Sequence, residues 1–161
     1  MYKMILEWIE KGRQRSETFS SEGNSKEEGK VFIGRDKTKC DVVLPVNENT
    51  ISRFHAVILY DSQNNCFFVR NLTSGRPQPN PITVDGKTII SEKVGISSGS
   101  VIQLGKISLN VKLIEIIQSQ KQYGLKCLNG HQIPYDYIGD FCPHCGFSLQ
   151  AVETIFLPNE N

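Results

Sequence analysis

No stretch of this 161-residue sequence approaches the roughly 18–20 consecutive apolar residues that a bilayer-spanning helix requires. The opening Met1-Tyr2-Lys3-Met4-Ile5-Leu6-Glu7-Trp8-Ile9-Glu10 is too short and too acidic for a signal peptide. These two absences point to a cytoplasmic protein with no membrane partner. Charge of one sign is also lacking: 18 Lys and Arg against 17 Asp and Glu leave a formal net charge of +1. A domain that coats nucleic acid through its phosphates carries a basic excess, so the balance argues against nucleic acid as a partner. No Gly-rich loop ends in Lys-Ser/Thr, no His-Glu-x-x-His occurs, and the histidines number three. The expectation is therefore a protein that is not an enzyme.

What is present fits a folded chain. Hydrophobic residues make up 39% and charged residues 22%, near the average for globular proteins, so a real core is within reach. The length suits one ordinary domain plus a small appendage. From Val31 to Leu113 the apolar residues fall in short runs rich in β-branched and aromatic types. These are Val31-Phe32-Ile33, Ala56-Val57-Ile58-Leu59-Tyr60, Cys66-Phe67-Phe68-Val69, Ile82-Thr83-Val84, Val101-Ile102-Gln103-Leu104 and Ile107 to Leu113. Turn residues separate them, among them Asp61 to Asn65, Asp85-Gly86 and Ser98-Gly99. No segment there shows helical spacing over ten residues or more; Lys3 to Ile9 could form a helix on its own, but with the Lys11-Gly12 turn that follows it the reading preferred is a first strand. The pattern predicts an all-β fold, a β-sandwich of short antiparallel strands over residues 1–115. Composition shifts set further bounds: a polar mobile loop over 16–29, a linker over 116–126, a cysteine-rich module over 127–149 and a flexible tail over 150–161.

Three loop fragments supply what a phosphate dianion needs. Gly34-Arg35 follows one strand, Ser52-Arg53-Phe54-His55 precedes the next, and Asn80 to Gly86 follows Asn71-Leu72-Thr73-Ser74. Arginine offers a fixed fork of N–H donors and a permanent charge. A serine hydroxyl and loop N–H groups add shorter-range donors, and a side-chain amide can hold a peptide main chain.

The order and spacing of these fragments resemble the forkhead-associated (FHA) family. Its pattern runs Gly-Arg, Ser-x-x-His, Asp-Leu-x-Ser and Asn-Gly-Thr-x-x-Asn-Gly. Asn71 stands where the family has Asp, Pro81 where it has Gly, and Ile82 where it has Thr. The resemblance implies a non-enzymatic phosphothreonine-binding module, a signalling adaptor for a phosphothreonine-containing protein in a Ser/Thr kinase pathway. In it Arg35 and Ser52 contact the phosphate, Arg53 adds charge beside them and Asn80 holds the peptide main chain. Gly34, His55 and Ser74 support the loops. Between Ser74 and Asn80 lies Gly75-Arg76-Pro77-Gln78-Pro79, longer and stiffer than the family has there. Arg76 could bring an extra charge to the site. If the altered Asn80-Pro81 loop has lost phosphate binding, the alternative is a scaffold whose second module makes the contact, with protein or nucleic acid.

That module reads Cys-x3-His-x10-Cys-x2-Cys through Cys127, His131, Cys142 and Cys145. Two ligand pairs across a hairpin-sized spacer can close the tetrahedron that Zn2+ favours with thiolate and imidazole ligands, and the arrangement resembles a zinc ribbon. Four protein ligands leave no open position, which makes the zinc structural rather than catalytic. His144, inside the tight Cys-x-x-Cys turn, is left as a non-ligand. Some FHA proteins are switched when their own tail threonine is phosphorylated. Thr154 in the tail and Thr18 in the polar loop are the candidate phosphosites here.

Overall fold

The computed structural model describes residues 1–117, 123–134, 136–149 and 153–156. The chain divides into two units, Met1–Ile117 and Gln118–Asn161.

Unit 1 holds two sheets. The first has strand order β2-β1-β11-β10-β7-β8, built from β1 (Tyr2–Glu10), β2 (Arg13–Ser20), β7 (Ile82–Val84), β8 (Lys87–Ile89), β10 (Val101–Leu104) and β11 (Ile107–Ile116). The second has order β4-β3-β5-β6-β9, from β3 (Lys30–Gly34), β4 (Val42–Val43), β5 (Ala56–Asp61), β6 (Cys66–Asn71) and β9 (Lys93–Ile96). Alternation along the strands aims one face of each sheet inward. Met4, Leu6, Ile102 and Leu109 of the first sheet meet Ile33, Ile58, Phe67 and Val69 of the second in one buried cluster. Tyr2 links the layers, its ring 4.5 Å from Tyr60 and 5.0 Å from Phe67. This is the all-β sandwich that the short apolar runs predict.

The polar stretch 16–29 is not one loop. Ser16 to Ser20 belong to β2, which pairs with β1 from Lys3↔Ser20 to Glu10↔Arg13. The strand is held by main-chain bonds at a sheet edge and buries only Phe19 fully, so its sequence carries little apolar signal. Thr18 is therefore an exposed strand residue opposite Ile5.

Unit 2 is a three-stranded sheet, order β13-β12-β14, from β12 (Tyr123–Lys126), β13 (Gln132–Pro134) and β14 (Glu153–Phe156). Two expected bounds change. The end of the predicted linker, Tyr123–Lys126, is the central strand. Part of the predicted tail, Glu153–Phe156, is an edge strand paired with it, and Thr154 stands opposite Leu125. The remainder of the linker at 118–122 and of the tail at 150–152 and 157–161 lies outside the described residues.

Candidate functional site

Register brings the three loop fragments of unit 1 to one end of the second sheet. In antiparallel pairing Ile33 faces Ala56, and Ala56 faces Asn71. The end of β3, the start of β5 and the end of β6 are therefore neighbours. Gly34-Arg35, Ser52 to His55 and Asn71 to Ser74 follow or precede that row by a few residues. The chain then crosses to β7, and Asn80 arrives beside them.

Gly34 owes its place to space rather than to an unusual φ. A Cβ there would sit 2.3 Å from the Arg53 carbonyl oxygen and 3.0 Å from the Cys40 Sγ. The same carbonyl accepts the N–H groups of Arg35 and Asp36, both at 3.0 Å, and the Cys40 thiol at 3.3 Å. Arg53 thus ties the loop after β3 to the loop before β5 through its main chain, while the residue as a whole is exposed.

His55 is fully buried and fixed at both ring nitrogens. Ser52 N–H donates to Nδ1 at 3.3 Å. Nε2 lies 3.2 Å from the Asn80 carbonyl oxygen, an acceptor only, so the proton sits on Nε2. Burial lowers the imidazole's pKa, the Asn80 carbonyl opposes that, and the Arg76 charge adds to it. A neutral His55 is the form that both contacts require.

Asn80 is held by its main chain. Its carbonyl also accepts Asn71 Nδ2 at 2.7 Å, and its N–H donates to Thr73 Oγ1 at 2.9 Å. Asn71 Oδ1 accepts Thr73 N–H and the Thr73 hydroxyl, each at 2.8 Å. Buried Asn71 and Thr73 carry this network, and half-buried Ser74, the residue singled out from the sequence, stands beside it. The signal for Thr73 was available: Asn followed two residues later by Thr is the spacing of an Asx-type turn.

With its backbone so fixed, the Asn80 side chain donates from Nδ2 to Ser52 Oγ at 2.9 Å. Arg76 donates to the same oxygen from Nη1 at 3.1 Å. Ser52 is only 5% exposed. Its hydroxyl accepts two N–H groups, which leaves its own proton to donate. Arg35 lies alongside in the chain, but its guanidinium is turned to the loop before β5. Nε donates to the Ile51 carbonyl at 2.6 Å and Nη1 donates to the Val46 carbonyl. Among the described residues no hydrogen bond joins the Arg35 guanidinium to the Ser52 hydroxyl. The structure therefore gathers Ser52, Asn80 and Arg76 at one point. His55 braces that point, and Arg35 stands one step away.

In unit 2 the ligand atoms of Cys127, His131, Cys142 and Cys145 all lie within 4.8 Å of one another, a group that could hold a metal ion. The donor set can be tested against zinc by its edges. Tetrahedral bond lengths near 2.3 Å to sulfur and 2.0–2.1 Å to nitrogen give S···S edges of about 3.8 Å and S···N edges of about 3.6 Å. Cys127 and Cys145 sulfurs are 3.8 Å apart. His131 Nδ1 is 3.4 Å from the Cys127 sulfur and 3.9 Å from that of Cys142. The residues fit. The Cys145 thiol is lowered to about 6, first by the Phe147 N–H and then by the Asn129 side chain, which favours the thiolate. The His144 ring centroid is 5.3 Å from that of His131, and His144 is not among the four.

Known proteins resemble unit 1. Residues 31–105 match the family model of the FHA domain. The crystal structure of the FHA domain of the CT664 protein from Chlamydia trachomatis superposes with a TM-score of 0.53, covering 71% of this chain and 98% of its own at 22% identity. The kinase-interacting FHA domain of kinase associated protein phosphatase from Arabidopsis gives a TM-score of 0.57, covering 73% and 98% at 19% identity. Identities this low show the fold. No curated protein matches the chain significantly, and among the described residues no helix is long and apolar enough to cross a membrane. The sandwich, the loop order and the family match agree: unit 1 has the β-sandwich fold of FHA domains, and residues 31–105 are similar to that family.

Proposed function

We propose that unit 1 is a phosphothreonine-peptide recognition module, acting without catalysis as an adaptor in a Ser/Thr kinase pathway. The observation that carries this reading is the buried Ser52 hydroxyl, set between Asn80 and Arg76 with its proton free to donate. A phosphate ester carries about −1.5 to −2 charges at neutral pH and seeks such donors. Arg35 contributes through what its bracing bonds leave over. A guanidinium has five N–H groups, and two are used on Ile51 and Val46. Arg53 adds exposed charge, and Asn80 holds the peptide main chain beside the phosphate. Gly34, His55 and Ser74 support the loops that carry these groups. The kinase link has support from the Arabidopsis relative, which is described as kinase-interacting.

Unit 2 is, in this proposal, a zinc ribbon in which Zn2+ on Cys127, His131, Cys142 and Cys145 is structural. It also offers a further protein contact, since Leu128, Ile138, Phe141 and Phe147 are large apolar side chains left exposed. The engagement of Arg35 with two carbonyls favours a second reading, in which the pocket no longer takes phosphate and the ribbon makes the partner contact alone.

An oriented phosphothreonine peptide library, followed by calorimetry on the selected peptide, separates the two. The expected affinity is roughly micromolar, from a few charge-assisted bonds less the cost of ordering the peptide. Ser52→Ala and Arg35→Ala should each abolish measurable binding, with the melting transition of unit 1 still cooperative. Binding that survives in both variants would refute the site. A library from which nothing is selected would leave the scaffold reading in possession.

A further inference from the structure

We propose that Arg76 is a second phosphate-binding cation of the pocket, delivered by the segment 75–79 that the loop carries between Ser74 and Asn80. The inference rests on the phosphothreonine reading above and assigns one more residue to it.

The geometry begins with the turn that aims the side chain. Arg76 N–H donates to the Thr73 carbonyl at 3.0 Å, closing a turn directly on the buried Asn71–Thr73 network. The loop base is thus rigid even though the residue itself is exposed. From that base the guanidinium reaches across 24 residues of sequence to Ser52 Oγ. Among the described residues it is the arginine whose side chain contacts the phosphate-ready hydroxyl, whereas the Arg35 guanidinium donates to the Ile51 and Val46 carbonyls of the loop that carries Ser52. Its charge is felt in the pocket, since it helps to hold His55 in the neutral form. No carboxylate forms an ion pair with Arg76 among the described residues. A permanent cation one hydrogen bond from a buried hydroxyl, and not neutralised by an acid, is a charge held ready for an anion. Only one of its five N–H groups is engaged there, so it can keep the Ser52 contact and still present a fork to phosphate oxygens.

The test uses the full chain and a library-selected phosphothreonine peptide, read by calorimetry at two salt concentrations. Arg76→Gln removes the charge and keeps a donor of similar reach. The expected result is a loss of about tenfold or more in affinity, the size of one charge-assisted hydrogen bond. The salt dependence of binding should become shallower as well, because one cation has left the contact. Arg76→Lys should recover part of both. A role confined to folding would change the melting temperature and leave the salt dependence alone, so that pattern overturns the proposal. So does an Arg76→Gln variant that binds as tightly as the intact chain while Ser52→Ala does not bind. If the intact chain binds no phosphothreonine peptide at all, the phosphate reading itself fails and this proposal falls with it.

Discussion

Unit 1 buries Leu6, Ile33, Ile58, Val69, Ile102 and Leu109 between two sheets, whereas the buried cluster of unit 2 is Ile133 with Cys127 and Cys142. Leu125 and Leu149 pack against that second cluster from partly exposed positions. Among the described residues, two of its three buried side chains are thus candidate metal ligands. Area removed from water can hold a sandwich together, at about 1.5–3 kcal/mol for each large apolar side chain. One isoleucine and two thiols, the buried cluster among the described residues, do not by themselves offset the entropy of ordering a three-stranded sheet. The contrast teaches that unit 1 carries an apolar core of its own, whereas the described buried cluster of unit 2 is made largely of residues that could hold a metal ion, and it can be broken from either side.

Metal removal should have the largest effect. Structural zinc sites of this ligand class contribute about 10–16 kcal/mol to small domains. Chelation of the zinc-loaded chain should collapse the amide dispersion of Gln132–Pro134 and of the 142–146 turn in a two-dimensional NMR spectrum. The signals of β1 to β11 should stay where they are. A second unit that keeps its dispersed spectrum after metal loss would mean that Ile133 and its neighbours suffice. The converse test is Ile58→Ala, at a position fully enclosed on β5. It should cost unit 1 about 2–5 kcal/mol in urea unfolding, the usual penalty of a truncated core side chain. Metal stoichiometry should not change. A parallel loss of metal would show the units to be coupled rather than independent.

How much of this was legible in the sequence differs between strands that bury a face and strands that do not. The runs around Ile33, Ile58, Val69, Ile102 and Leu109 declared themselves, because period-two burial writes itself into residue type. β2 did not: apart from Phe19 its residues are polar and its stability comes from main-chain bonds to β1. β14 was hidden in the same way, since pairing with β12 leaves no long apolar pattern. At the site, the motif residues could be named in advance, but not how they would be joined. Arg35 turning to Val46 and Ile51, and Arg76 crossing to Ser52, depend on loop paths that spacing alone does not encode. Gly34 is read from the sequence only as a support of its loop, yet what demands it is the Arg53 carbonyl from another loop. Long-range approach of that kind leaves no local trace in composition.

The smallest expected effect sharpens the comparison from inside unit 1, where one buried polar group must be held neutral. His55 has its pKa lowered by burial first, with the Arg76 charge acting in the same direction. The folded ring therefore refuses a proton that the unfolded chain accepts below about pH 6.5. Between that value and the folded pKa the unfolded state binds more protons, so stability falls as pH drops through the window and is flat above it. Each tenfold lowering of the ring's proton affinity corresponds to about 1.4 kcal/mol. Glu17 works the other way, since burial raises its carboxyl pKa and proton uptake then favours the folded state. The difference between variants isolates the histidine from that background. Trp8, buried on β1 and the only tryptophan in the chain, reports unit 1 in urea unfolding. The intact chain should lose stability between pH 7.5 and pH 5.5, and His55→Gln, though less stable at both, should lose less of it over the same interval. Equal slopes would mean that the folded ring takes up its proton as readily as the unfolded one. A charged ring has no acceptor at Nδ1 for the Ser52 N–H, so the brace that fixes the Ser52 loop would have to be drawn differently.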